Sequence, residues 1–269
     1  MATTAAKTGY APVNGLRMYY EIHGTGPPLV LLHGGVSAIG TSFGSILPGL
    51  AASRQVIAVE QQGHGRTADI DRPLNMEQMA KDTVELLRHL SVESADFLGY
   101  SLGAGVAMYI ALQHPEFVRK LVLISLATNP EGYHPGLLEG MEQLTPEALA
   151  GSPFAEEYAQ LAPNPENWPT LIEKTKQLDR EFQGVPNEAV QSITAPALLV
   201  FGDSDIVRPE HAVELFRSLG GGVMGDVAGL PRSRLAVLPA STHITVMYRG
   251  DWLVSMVTEF LEAPMPERG

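Results

Sequence analysis

The chain has no cysteine among its 269 residues, which excludes disulfides, thiolate metal sites and a cysteine nucleophile and leaves the redox compartment open. Basic residues are also short, with 18 Lys and Arg against 30 Asp and Glu and a formal net charge of −12. Nucleic acid or an anionic membrane would call for a clustered basic surface, so neither is expected as a partner. No apolar run approaches the length of a membrane span, and Met1 to Lys7 lacks the apolar core of a leader, so a cytoplasmic protein is expected. Gly220-Gly221-Gly222 is not followed by Gly-Lys-Ser/Thr and is no phosphate loop. There are no convincing internal repeats. No His-x-His-x-Asp-His cluster is present, so no metal site is expected.

What remains is ordinary for a globular protein, 45% hydrophobic and 18% charged, and long enough for one large α/β domain with an inserted cap. The stretch that organises it is Gly99-Tyr100-Ser101-Leu102-Gly103. It lies between an apolar strand ending, Ala95 to Leu98, and the helix-forming run Val106 to Leu112. In a strand-turn-helix setting, Gly-x-Ser-x-Gly lifts the serine hydroxyl clear of the sheet, and the flanking glycines let backbones pass. The helix N-terminus beneath supplies free N–H groups suited to an oxyanion.

Elsewhere the chain alternates strand and helix. Lys7 to Val13 and Leu16 to His23 flank Asn14-Gly15, a type I′ hairpin signal. Leu29 to Leu32 is wholly apolar, as a strand covered on both faces must be, and ends in His33-Gly34-Gly35. A helix interrupted or bent near Pro48 is expected over Ser42 to Ser53, then a strand from Gln55 to Val59 and an Asn75-capped amphipathic helix to Leu90. Further strands are expected at Val118 to Leu126, Ala197 to Phe201 and Leu235 to Leu238, with helices at Pro209 to Leu219 and Thr245 to Leu261. This pattern predicts a mostly parallel eight-stranded sheet with helices on both faces.

From 128 to 193 the rhythm changes. Eight prolines cut the segment into short pieces, several of them helical, such as Pro146 to Ala150 and Pro169 to Leu178, which reads as a small helical lid inserted after the sixth strand, with 1–127 and 194–269 forming the core. Its aromatic residues Phe154, Tyr158 and Trp168 are candidates, with Tyr100, for lining a substrate pocket; the alternative is packing of the lid onto the body.

A serine hydroxyl needs a base within hydrogen-bond reach, itself oriented by a carboxylate. Of the eight histidines, His243 lies just beyond the last strand, where a loop can carry it over the sheet edge. Gly202-Asp203-Ser204-Asp205 follows an apolar strand directly. The spacing favours Asp205 as the acid and leaves Asp203 as a turn-forming residue. The order Ser101, Asp205, His243 is that of α/β-hydrolases, not of the chymotrypsin or subtilisin types.

The chain resembles the α/β-hydrolase family over nearly its whole length, through His33-Gly34-Gly35, Gly63-His64-Gly65-Arg66-Thr67, Gly99 to Gly103, Gly202 to Asp205 and Thr242-His243. The resemblance implies an oxyanion hole made by the N–H groups of Leu102 and Gly35, a loop-shaping His33 and a structural His64. Glu60-Gln61-Gln62 departs from the family, which often has an aspartate and an arginine or proline there. Within the family the chain is similar to small bacterial carboxylesterases, N-acyl-homoserine lactonases and pyrethroid-type esterases. That implies a cofactor-free serine hydrolase with a small-molecule ester or lactone substrate. A serine at 101 sets the chain apart from the haloalkane dehalogenase and epoxide hydrolase branches, which use an aspartate. Carbon–carbon hydrolysis, cyanohydrin cleavage, perhydrolase or haloperoxidase chemistry and a non-catalytic small-molecule receptor share the same shell.

Overall fold

Asn14 and Gly15 both take positive φ, 46° and 87°, and turn β1 (Lys7–Val13) back onto β2 (Leu16–His23). The computed structural model describes residues 6–265; residues 1–5, part of the stretch read as lacking a leader, lie outside the described residues. The remaining strands are β3 (Pro28–Leu32), β4 (Gln55–Val59), β5 (Ala95–Tyr100), β6 (Val118–Ile124), β7 (Ala197–Ser204) and β8 (Arg234–Thr242). They form one eight-stranded sheet in the order β1-β2-β4-β3-β5-β6-β7-β8. The pairs β1–β2 and β2–β4 are antiparallel, and every later pair is parallel.

Helices cover both faces: α1 (Ile39–Phe43), α2 (Leu47–Leu50), α3 (Met76–His89), α4 (Leu102–Gln113), α5 (Leu137–Glu142), α6 (Pro153–Leu161), α7 (Trp168–Glu181), α8 (Asn187–Gln191), α9 (Pro209–Ser218), α10 (Gly225–Ala228) and α11 (Gly250–Glu262). Alternation along β3 divides the core. Val30 and Leu32 join the apolar layer under α3 and α4, while Leu29 and Leu31 join the layer under α1, α2 and α11. Asn75 caps α3 by accepting from the Gln78 N–H at 3.0 Å. Among the described residues, no helix is long and apolar enough to cross a membrane.

Two expected helices are divided. Over Ser42 to Ser53 the helix is interrupted rather than bent, and the chain forms α1 and α2. Pro48 has no N–H for the Gly44 carbonyl and its ring would clash with it, so the proline starts a second helix. Near the C-terminus, a tight single turn at Thr245–Tyr248 is separated from α11 by Arg249. Arg249 leaves the helical region (φ −81°, ψ 47°) and sends its guanidinium back to Ser241 Oγ at 2.9 Å and Pro239 O at 3.2 Å. The break thus ties down the loop that carries His243.

Between β6 and β7 the 128–193 segment runs through α5 to α8, with tight single turns between. The helix expected at Pro146 to Ala150 shrinks to one such turn, Glu147–Leu149, and that expected at Pro169 to Leu178 extends to Trp168–Glu181. Leu171 and Leu178 of α7 and Tyr158 of α6 join the apolar layer over α3 and α4. Two charged residues add polar anchors. Lys174 donates to Asp69 Oδ2 at 2.6 Å and to the carbonyls of Ile70 and Arg72, both at 2.8 Å. Glu157 accepts from the backbone N–H groups of Ala38 at 3.2 Å and Thr41 at 3.0 Å, and from the Thr41 hydroxyl. Substituting Lys174→Met should loosen α7 without unfolding the body. In hydrogen exchange, the amides of α7 should exchange several-fold faster while those of β3 and β5 keep their protection; unchanged α7 protection would show that apolar packing alone holds it.

Candidate active site

Ser101 sits between β5 and α4 with φ 53° and ψ −117°, a conformation that a residue with a Cβ adopts only at a cost of order 1–3 kcal/mol. What enforces it is the closeness of three backbones. An ideal Cβ on Gly103 would lie 1.9 Å from the Leu32 carbonyl oxygen, and one on Gly99 would lie 2.2 Å from the Gly103 oxygen. Only glycine fits at either place. The Ser101 N–H donates to Ile124 O at 2.9 Å, tying the turn to the end of β6. The serine is left half-buried at the C-terminal edge of the sheet.

The other two sequence-derived candidates converge on it. His243 Nε2 lies 3.0 Å from Ser101 Oγ, and its Nδ1 lies 2.9 Å from Asp205 Oδ1. With Nδ1–H donated to the carboxylate, Nε2 is free to accept the serine proton. The Asp205 side chain is fully shielded from solvent. Burial alone would raise its pKa, but hydrogen bonds from His243, Ser125 and Gly202, with the adjacent imidazole, outweigh this and hold it below the ordinary value. Asp203 does different work. Its carboxylate is exposed and accepts from the Ala240 N–H at 2.9 Å and the Ser241 N–H at 3.1 Å, which lowers its pKa and pins the end of β8 ahead of His243.

The loop after β3 is shaped by two neutral histidines. His33 donates Nδ1–H to Gly34 O at 2.7 Å and accepts the Gln61 N–H on Nε2 at 3.0 Å. His64 donates to Gln62 O at 2.8 Å and accepts the Val36 N–H at 3.2 Å. Both rings are fully buried, 4.9 Å apart between centroids. Burial, with His64 beside it, holds His33 down to about 3, and burial holds His64 at about 4. Val36 is β-branched yet takes φ 49°, a strained conformation that the His64 bond helps to hold. The Gly34 N–H is taken by Ser42 Oγ at 3.3 Å. The N–H groups of Gly35 and Leu102 donate to no acceptor among the described residues. An ideal Cβ on Gly35 would meet the Leu102 side chain (Cδ2) at 4.0 Å and Thr175 Cγ2 of α7 at 3.8 Å, so Gly35 lies beside Leu102 and under α7.

The departure at Glu60-Gln61-Gln62 builds its own network. Buried Glu60 receives the Arg66 N–H at 2.5 Å and its guanidinium at 2.9 Å, and burial pushes its carboxyl up to about 7. Gln62 bonds Asp69 at 2.8 Å and Arg72 at 2.7 Å, which leads to the loop held by Lys174.

The candidate pocket residues fall into two groups. Tyr100 is buried beneath the loop: its hydroxyl donates to His243 O at 3.0 Å and its ring stacks on the imidazole at 5.3 Å. Its polar end is therefore engaged in holding His243. Tyr158 and Trp168 pack on each other at 5.1 Å, between α6 and the start of α7, and Phe154 is half-buried on α6. Sequence reasoning missed Ser125, Glu157 and this use of Tyr100. The first two are drawn in by contacts across 80 and 116 positions, for which no local pattern exists.

A family model described as the alpha/beta hydrolase fold matches residues 27–159. The mouse serine hydrolase BPHL is 27% identical over 274 residues, covering 96% of this chain and 88% of that one. The 2-hydroxymuconate semialdehyde hydrolase of Pseudomonas sp. (strain CF600) is 38% identical over 117 residues, 42% of this chain and 41% of that one. Among solved structures, the enol-lactonase from Burkholderia xenovorans LB400 superposes with a TM-score of 0.71 at 21% identity, covering 94% of this chain and all of that one. The chain has the α/β-hydrolase fold. Its curated relatives include hydrolases, and its sheet order and the strand-turn-helix at Ser101 are those of the α/β-hydrolase fold.

The histidine pair gives the fold a spectroscopic test. In a ¹⁵N–¹H NMR titration, two imidazoles should stay neutral in the Nδ1–H form from pH 8 to about pH 5. Rings titrating together near the ordinary value of 6.5 would mean that the pair is not buried as described.

Proposed function

We propose that this chain is a serine hydrolase of carboxylic esters or lactones that works through an acyl-enzyme. The observation that carries the reading is the continuous hydrogen-bonded line from Ser101 through His243 to Asp205, at 3.0 and 2.9 Å. His243 Nε2 takes the proton as Ser101 Oγ attacks the carbonyl carbon. Asp205 keeps the imidazole in the Nδ1–H tautomer and stabilises the imidazolium. The N–H groups of Gly35 and Leu102 receive the oxyanion, each such donor contributing about 3–4 kcal/mol in the transition state. Collapse of the tetrahedral intermediate transfers the proton from His243 to the departing alkoxide. For a lactone that alkoxide stays attached to the acyl group. Water activated by His243 then releases the acid. Every group in this scheme belongs to the chain itself, so the scheme calls on no cofactor.

The 128–193 segment is the proposed lid on a core of 1–127 and 194–269. Support comes from its anchoring at Glu157 and Lys174 and from Thr175, which stands over Gly35. With the Tyr100 hydroxyl bonded to the His243 carbonyl and Tyr158 engaged with Trp168, Phe154 is the candidate pocket residue left least committed. A second reading, hydrolysis of a carbon–carbon bond beside a carbonyl, draws on the likeness to the semialdehyde hydrolase and would use the same serine.

Three variants and a substrate panel test the proposal. Ser101→Ala should lower kcat/KM by several orders of magnitude with the fold intact. Asp205→Asn should cost about 10⁴-fold in kcat, whereas Asp203→Asn, which removes only a loop anchor, should cost about tenfold or less. The reverse ranking would move the acid to Asp203. The panel is p-nitrophenyl esters of graded acyl length, an N-acyl-homoserine lactone and a vinylogous 1,5-diketone. Turnover of the esters or the lactone is expected; turnover confined to the diketone would transfer the assignment to carbon–carbon hydrolysis.

A further inference from the structure

β6 ends at Ile124, and the next residue, Ser125, takes φ 56°. Left-handed backbone is where glycine is the undemanding choice and a residue with a Cβ is strained. Ser125 is nonetheless a serine, buried at 3% exposure, and its hydroxyl donates to Asp205 Oδ2 at 2.5 Å. The backbone turn is what aims it there: the Ser125 N–H is held by Val200 O of the neighbouring strand at 2.8 Å, and the side chain swings back under the loop after β7.

The carboxylate it meets is filled on both oxygens. Oδ1 receives His243 Nδ1–H at 2.9 Å and the Val207 N–H at 3.3 Å, while Oδ2 receives Ser125 at 2.5 Å and the Gly202 N–H at 3.2 Å. Both backbone donors are at the long end of the hydrogen-bond range, so the serine makes the short contact that fixes the carboxylate plane. Once that plane is fixed, Oδ1 is presented to His243 and to the Val207 N–H.

We propose that Ser125 is a positioning residue for the acid, extending the line Ser101–His243–Asp205 by one member. The proposal rests on the serine-hydrolase reading given above. Ser125 bonds Asp205 Oδ2, not the Oδ1 that takes His243 Nδ1–H, and no bond joins its side chain to Ser101 or to His243. Its contribution is to stop the buried carboxylate from rotating about its Cβ–Cγ bond, which would loosen the imidazole just when it must accept and return the proton. The effect therefore belongs in kcat.

The test is steady-state kinetics of Ser125→Ala and Ser125→Gly on a p-nitrophenyl ester, with each change also made in the Asp205→Asn background. Glycine removes the hydroxyl while relieving the backbone strain, so a fault of folding is separated from loss of the hydrogen bond. Both variants should lose about tenfold in kcat, the worth of one such hydrogen bond, with KM within twofold of the parent. In the Asp205→Asn background the same changes should cost nothing further, because the partner through which Ser125 acts has been altered. Full kcat in Ser125→Gly, a loss that falls on KM, or an undiminished loss in the Asp205→Asn background would each overturn the proposal. Were Ser101→Ala or Asp205→Asn itself to leave activity intact, the serine-hydrolase reading would fail first. Collapse of those two beside a fully active Ser125→Gly would remove Ser125 alone.

Discussion

The closeness of three backbone segments at one point governs the rest of this molecule. The end of β3, the turn at Ser101 and the first residues of α4 approach so tightly that Gly99 and Gly103 leave no room for a Cβ. Ser101 is forced into a sparsely populated conformation as a result. The cost of that strain is met by the apolar layers on the two sides of the sheet, which fix β3, β5 and α4 relative to one another. The same turn places the Ser101 hydroxyl 3.0 Å from His243 Nε2. A looser turn would lose that approach.

Around that point the polar groups are arranged so that almost nothing buried is left charged without partners. His33 and His64 are kept neutral by burial and spend both ring nitrogens on the loop backbone. The Asp205 carboxylate is the exception, a shielded charge, and it is supplied with four donors. Segments far apart in the chain converge to hold His243: Asp203 and Arg249 fix the backbone leading to it, and Tyr100 takes its carbonyl. Glu157 reaches from α6 to the start of α1, so the 128–193 segment also steadies the loop that carries Gly35.

Local chemistry makes much of this legible in the amino-acid sequence. Asn14-Gly15 announces the hairpin, Asn75 the start of α3, and the wholly apolar Leu29 to Leu32 a strand covered twice. Ser101, Asp205 and His243 can be picked out because each sits just past the end of an apolar strand, where parallel sheets gather their functional side chains. Features set by distant partners are not readable in this way. The break at Arg249 exists because its guanidinium has acceptors on the β8 loop, and the apolar run through Leu126 hides the turn at Ser125. Tyr100 reads as a pocket residue from its place in the motif, but only the fold shows that His243 O lies within its reach.

The claim that Ser101 is a nucleophile activated by His243 is tested most directly by covalent trapping. The protein is incubated with a p-nitrophenyl alkylphosphonate and the adduct is located by peptide mass spectrometry, alongside a His243→Ala control. The account predicts a single adduct, on Ser101, that forms far more slowly in the control. No adduct, an adduct on another residue, or labelling indifferent to His243 would contradict it.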